Sequence, residues 1–308
     1  MHKLHLIAFL LLVSGMISCQ TDIDADAKIQ LDKESADIST YASSKGLSGN
    51  TTSSGLYYVI NKTDSSTTVK PAYGTELEFN YKMYVLLGPS NTTAVSGVTD
   101  RLVDSTYADS AAVFYPFFEN SLRKGLEEGL LLMNEGDSAT FLMPSTLAFG
   151  NVKFDTYNIP ANSPVRYDVK LHRVRTEDQQ INDYIAINKL VPTETTSSGL
   201  RFIKTVSNSS GATPTANQTL TINYKGKLLR TVSAFDSTTT GTYSTSLGKS
   251  PLAGFNEGLA KLKVGEKATL IFPSSLGYKT TGNVNSDGTY IVPPYAPLRF
   301  DIELISAQ

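Results

Sequence analysis

The chain of 308 residues has no tryptophan, one cysteine and three histidines. Two of the histidines, His2 and His5, lie in the first few residues, which leaves His172 as the only one in the body of the protein. Most histidine-based catalysis and metal binding is thereby excluded. There is no zinc-type ligand cluster, no glycine-rich phosphate loop and no nucleophile elbow, so neither a metal nor a cofactor is expected. Charge is also sparse: 18% of residues are charged and the formal net charge is -2, so there is no electrostatic case for a nucleic-acid partner.

Long hydrophobic runs are absent too. The run Leu6–Val13, preceded by Lys3, is too short to span a bilayer as a mature helix. A short basic start, an apolar stretch and then small residues make a targeting segment. It ends at Met16-Ile17-Ser18-Cys19, which resembles the lipobox of bacterial lipoproteins. That resemblance implies cleavage before Cys19 and its acylation, with residues 1–19 as signal peptide. Several acyl chains, at ~0.8 kcal/mol per buried CH₂, anchor stably. The expectation is an exported protein tethered to the bacterial cell envelope at the outer membrane. The tract that follows carries Asp22, Asp24 and Asp26 and reads as a solvated spacer, so 20–50 is expected to be a polar tether with a short helix.

What is abundant is repetition. GFNEGL at Gly254–Leu259 echoes GLEEGL at Gly125–Leu130, and PSSLGY at Pro273–Tyr278 echoes PSTLAF at Pro144–Phe149. VPPYAPLRFDIEL at Val292–Leu304 echoes IPANSPVRYDVKL at Ile159–Leu171. TTSSGL occurs at Thr51 and Thr195, and NYK at Asn80 and Asn223. Repeats of this length in matching order imply two copies of one domain. The copies are expected over 51–175 and 195–308, with a helical linker at 176–194.

Each copy reads the same way. Ile181, Tyr184, Ile185, Asn188 and Leu190 have helical spacing, Thr176 with Gln179 makes a capping box, and Pro192 is expected to end the helix. Ile38 and Tyr41 match Ile181 and Tyr184 in the first copy. Leu298, Phe300, Ile302 and Leu304 alternate with polar residues, as do Val165, Tyr167, Val169 and Leu171, which is the period of a half-buried strand. Lys267–Phe272 and Ala139–Met143 are further strands, and Phe255–Leu262 and Leu126–Met133 have room for only two or three helical turns. A sheet with one short helix packed on it gives an α+β class. The first copy is longer between Tyr81 and Gly125, 44 positions against 30 from Tyr224 to Gly254, with the extra residues expected within Gly88–Thr99.

The order N-Y-K-G, F-D-S, L-G, G-F-N-E-G-L, V-G-E-K-A, P-S-S-L-G-Y, V-P-P-Y-A-P-L-R-F-D-I-E-L resembles the FKBP-type peptidyl-prolyl cis/trans isomerases, the rapamycin-binding class. It covers Ser198–Gln308 well and Ser54–Arg175 less well. The resemblance implies two tandem domains, each a curved antiparallel sheet wrapped around one short helix, with an apolar pocket between them. It implies proline-containing polypeptides as substrates and rapamycin-type macrolides as ligands.

In the second copy the resemblance places Asp236, Tyr278, Phe235 and Phe300 in catalytic positions. Tyr224, Tyr243, Leu252, Phe255 and Val292 take the remaining substrate-binding positions. Tyr278 is expected to hold the substrate carbonyl and Asp236 to orient the pocket wall. Phe255 stands where the family usually has Trp, and Leu247–Phe255 is one residue short, with Pro251 in it. In the first copy the same positions hold Tyr81, Asp104, Leu126, Phe149, Ile159 and Tyr167, with Val103 in place of the Phe. That thinned cage implies a weak or inactive copy. Glu127, Glu128 and Glu257, near helix starts, are expected to favour the helix dipole rather than act as acids. The alternative to an isomerase is a surface lipoprotein that uses the same fold to hold a peptide, protein or glycan without turnover.

Overall fold

The computed structural model describes residues 13–62, 68–92, 97–107, 112–216, 218–238 and 241–308. The chain divides into two compact units, the first ending at Arg173 and the second starting at Val174. The short stretches Ala72–Leu77 and Phe114–Glu119 cluster with the second unit. Most of the leader, residues 1–12, lies outside the described residues, and so does part of the Gly88–Thr99 segment.

The first half contains α1 (Val13–Ser44), β1 (Asn50–Thr51), β2 (Tyr57–Asn61), β3 (Glu76–Leu87), β4 (Thr99–Ser105), β5 (Val113–Pro116), α2 (Lys124–Leu132), β6 (Ser138–Met143) and β7 (Val165–Arg175). The second contains α3 (Glu177–Ile187), β8 (Glu194–Thr195), β9 (Arg201–Val206), β10 (Thr219–Leu228), β11 (Asp236–Ser237), β12 (Tyr243–Ser246), α4 (Ala253–Ala260), β13 (Lys267–Phe272), β14 (Asn283–Val284), β15 (Tyr290–Val292) and β16 (Leu298–Ala307). One seven-stranded sheet has the order β1-β2-β6-β7-β3-β4, with β5 also on β3; the other has β8-β9-β13-β16-β10-β11, with β12 also on β10. The two orders are the same order. The repeat therefore describes two α+β domains of one topology.

The repeated motifs each do a local job. In TTSSGL the Leu56 and Leu200 N–H groups donate to the hydroxyls of Thr52 and Thr196, 3.2 Å each. The Ser54 hydroxyl donates to Glu128 at 2.7 Å and Ser198 to Glu257 at 2.7 Å, tying each turn to its short helix. Glu127 instead accepts N–H groups from Asn120 and Leu122. These three acids hold loops as well as sitting near helix starts. The paired glycines of GLEEGL and GFNEGL face the sheet. A Cβ on Gly254 would lie 2.6 Å from the Phe272 ring, and one on Gly129 would lie 2.7 Å from Phe141. Only hydrogen at these positions lets the helix sit this close to the strand.

Helix α3 starts at the expected capping box, with the Thr176 hydroxyl accepting from the Gln179 N–H and the Gln179 side chain accepting from the Thr176 N–H. It stops at Ile187, before Pro192. The backbone turns left-handed at Lys189 (φ 53), and the Leu190 N–H closes on the Ile185 carbonyl. Leu190 still packs against the apolar cluster of Ile181, Ile203 and Ile271 on this face of the second sheet. In the first half, Ile38, Tyr41 and Ala42 pack on Leu86 and Leu142 in the same manner. Helix α1 runs through the polar tract, so that tract is helical. Its described side chains from Ala25 to Ile29 face solvent, and Lys28 pairs with Asp32 one turn on. Among the described residues no helix is long and apolar enough to cross a membrane.

The extra length of the first copy goes into the hairpin of β3 and β4, whose strands outrun β10 and β11. After Tyr278 the second copy adds a small hairpin of β14 and β15, within and just beyond Lys279–Thr289, a stretch rich in Thr, Gly and Asn.

Candidate functional site

Strand period and turn position bring the expected residues of the second domain together. Tyr224 lies on β10 and Phe300 on the neighbouring β16, where Gly226 pairs with Phe300 across the ladder. Phe235 directly precedes β11, Asp236 opens it, and Tyr243 opens β12. Leu252 precedes α4, Phe255 lies in its first turn, Tyr278 follows the 3₁₀ turn Ser274–Leu276, and Val292 closes β15.

Phe300 is the hub. Its ring centroid lies 5.2 Å from Phe255, 5.7 Å from Phe235 and 6.2 Å from Tyr224. The first two contacts are edge-on, an arrangement the ring quadrupoles favour. Tyr224 meets Phe255 at 5.6 Å and Tyr243 at 5.8 Å, and Phe235 meets Tyr278 at 6.4 Å, all T-shaped. Phe255, Phe300, Leu252 and Val292 are buried in the core, while Tyr224, Phe235 and Tyr278 are half-buried against it. Asp236 and Tyr243 are exposed. The result is an apolar floor open on the side of Asp236 and Tyr278.

The polar groups at the rim are set by that geometry. The Tyr224 hydroxyl donates to the Asp236 carboxylate at 2.8 Å. Burial first, and then that bond, push the Tyr224 hydroxyl well above its ordinary value. Burial and the Asp236 charge also raise Tyr278, with the Asn283 side chain opposing. Both phenols are therefore donors at neutral pH.

Two contributors escaped the sequence reading. Phe272 stacks nearly parallel to Phe300, 5.8 Å centroid to centroid. Gly226 is the second: a Cβ there would come within 2.7 Å of the Phe300 ring and 2.9 Å of Phe235. The signal for Gly226 was visible, since N-Y-K-G in the second copy is N-Y-K-M in the first.

In the first domain the Tyr81 hydroxyl donates to Asp104 at 2.6 Å, as in the second. Tyr167 packs on Tyr81 at 5.7 Å, and Leu126 and Ile159 are buried below. Buried Met83 and half-buried Val103 occupy the positions of Gly226 and Phe235. Three side chains not anticipated from the sequence are added. Phe154 and Tyr157 cluster with Phe149 at 4.9 and 6.5 Å, and the Tyr157 hydroxyl also donates to Asp104, 3.2 Å away. The Arg123 guanidinium lies over the Phe149 ring at 4.6 Å and over Phe154 at 5.5 Å. Burial chiefly raises Tyr81, Tyr157 and Tyr167 above the ordinary phenol value. Among the described residues no group of three or more His, Cys, Asp or Glu could hold a metal.

A domain with this sheet, short helix and aromatic floor, written twice, defines an α+β class with an apolar pocket between helix and sheet. The family model "FKBP-type peptidyl-prolyl cis-trans isomerase" matches residues 68–172 and 211–305. The chain belongs to that family. It is 34% identical over 112 residues to a macrophage infectivity potentiator of Trypanosoma cruzi, covering 36% of this chain and 54% of that protein. It is also 34% identical over 113 residues to the isomerase FkpA of Buchnera aphidicola, covering 37% and 42%. The chain thus spans about half, or less, of the length of these curated relatives. Among solved structures, FkpA from Escherichia coli is 29% identical with a TM-score of 0.36, covering 43% of this chain and 59% of that one.

Proposed function

We propose that the second domain is a peptidyl-prolyl cis/trans isomerase acting on X–Pro bonds of exported proteins. The observation that carries this reading is the convergence of Phe235, Phe255 and Tyr224 on Phe300, with Asp236 and Tyr278 at the rim. The barrier to be lowered is ~18–20 kcal/mol and comes from amide resonance. No bond to an atom is broken, so the reaction needs positioning and solvent exclusion, and no nucleophile. An apolar floor takes the pyrrolidine ring and strips water from the imide carbonyl. Water on that oxygen favours the planar, charge-separated form, so its removal favours the twisted transition state. Tyr278, held protonated, donates to the carbonyl on the far side of the proline. Asp236 is held in place by Tyr224 and lines the wall. A macrolide of the rapamycin type would occupy the same floor.

The first domain is read as weak or inactive in turnover, because Met83 and Val103 replace the Gly and Phe that shape the floor and Phe149 lacks the hydroxyl. For that domain a binding role without turnover is the better reading. We further propose acylation at Cys19 and anchorage at the outer membrane, supported by the leader and lipobox in the sequence.

A protease-coupled proline isomerisation assay on the fragment from Gln20 tests the enzyme. Tyr278→Phe should lower kcat/KM by roughly tenfold, the worth of about one hydrogen bond in the transition state. Unchanged activity in the double variant Tyr278→Phe, Asp236→Asn would sink the site assignment. An inactive wild type that also ignores rapamycin would favour the binding reading. Radiolabelled palmitate incorporation lost in Cys19→Ala checks the anchor.

A further inference from the structure

We propose that the first domain binds peptides carrying a carboxylate on the residue before proline, and that Arg123 recognises it. This rests on the reading that the fold holds proline-containing segments. Arg123 and Leu252 are positional equivalents, each directly ahead of the short helix and two residues before its first paired glycine. In the second domain Leu252 is buried in the floor. In the first, Arg123 is exposed and lies over Phe149 and Phe154.

That exchange changes what the site can recognise. Phe149 stands where the second domain has Tyr278, so the hydroxyl donor is missing. The guanidinium above its ring brings five N–H donors to the same place. The two rings offer it no hydrogen-bond acceptor of oxygen or nitrogen, so its N–H groups remain for a partner at the site, and a carboxylate matches that fork in geometry and charge. Among the described residues no carboxylate pairs with Arg123, whose contacts are the two rings. The one acid of the site, Asp104, is already engaged by the Tyr81 and Tyr157 hydroxyls. The positive field also reaches the floor, where it opposes the burial-driven rise of Tyr167. A lone guanidinium on a chain of net charge -2 fits a single carboxylate better than a polyanion.

The test is a ¹⁵N NMR titration of the chain from Gln20 with acetyl-Ala-Glu-Pro-Phe-amide and with its Gln-Pro counterpart. The Glu peptide should shift amides around Phe149 and Tyr157 with a Kd about fivefold lower than the Gln peptide, and about 0.5 M NaCl should erode the difference. Amides around Tyr278 should show no such preference. Arg123→Leu, which copies the second domain, and Arg123→Gln, which keeps the length, should each equalise the two peptides. Equal affinities in the wild type, or a preference that survives both variants, overturns the proposal. So does a response confined to the second domain. No response of either domain to either peptide removes the proline-binding reading along with it.

Discussion

The Glu177 carboxylate accepts both the backbone N–H of Ser274, at 2.5 Å, and its hydroxyl, at 2.7 Å. Glu177 opens helix α3, and Ser274 opens the turn that carries Tyr278. The first half repeats the arrangement: Glu34 takes the Ser145 N–H at 2.6 Å and hydroxyl at 2.9 Å. The helix ahead of each domain is thus latched to the loop that lines its site.

Removing that latch should be felt at the site. Glu177→Ala leaves the N–H and hydroxyl of buried Ser274 unmet, at a cost of about 1–3 kcal/mol by denaturant unfolding. It should lower kcat/KM through looser placement of Tyr278, whereas Glu177→Gln, which keeps one acceptor, should lose less. The pH dependence has a definite sign. Burial raises the Glu177 carboxyl, with the Ser274 bonds opposing. Its contribution is then fully present below the ordinary carboxylate value and lost as pH rises through the raised one. The stability gap between wild type and Glu177→Gln should narrow as pH rises from about 4 to 7. A gap that widens over that range would contradict the assignment.

Gly226 should be as intolerant as a catalytic residue without touching the proton chemistry. Gly226→Ala pushes a Cβ against Phe300 and Phe235 and should destabilise by about 1–3 kcal/mol, the usual overpacking range. Because both rings form the floor, KM for a proline peptide should rise alongside. Gly226→Met, which copies the first domain, should abolish turnover in the coupled assay. Retained turnover would mean that the floor does not bind the ring.

Helix α3 belongs energetically to the second domain. Ile181 is fully buried against Ile203 and Ile271, and the Arg299 guanidinium donates to the Tyr184 hydroxyl at 2.6 Å. Ile181→Ala should cost about 2–5 kcal/mol in the unfolding of the second domain. A fragment starting at Thr195 should melt well below one starting at Thr176. Equal melting temperatures would show that the helix contributes nothing.

Acid should attack the second domain at Glu266. Burial works to raise this carboxyl, but the Lys204 ammonium at 2.9 Å and the N–H groups of Lys263 and Asn208 outweigh it, leaving it below the ordinary value. Its stabilisation is present above the unfolded value and lost as pH falls through the lowered one. Glu266→Gln should therefore be less stable than wild type at pH 7 and converge with it on acidification. Parallel curves across that range would count against the assignment.

Much of the architecture was legible in the linear chain, because it rests on short-range physics. The alternation Leu298-Phe300-Ile302-Leu304, the Thr176 and Gln179 box and the doubled glycines of GFNEGL each state a local geometry by themselves. The repeat then reported the topology twice. The aromatic floor was legible only through family resemblance, since Phe and Tyr on strands look like any core. Two boundaries went otherwise. Helix α3 stopped at Ile187 because a left-handed Lys189 closed it before Pro192 could, and the acidic tract after Cys19 proved helical because acids and lysine four apart support a helix as readily as a spacer.

The sequence by itself determined that there are two copies of one α+β domain and where four of their strands and both short helices lie, and through the family resemblance it implied that the second keeps more of an aromatic pocket than the first. Tertiary structure alone decided what else joins the first pocket. Arg123 over Phe149, and Tyr157 sharing Asp104 with Tyr81, join segments that are distant in the chain and follow no period. Such contacts depend on how loops close over a sheet, a three-dimensional outcome that no local pattern encodes.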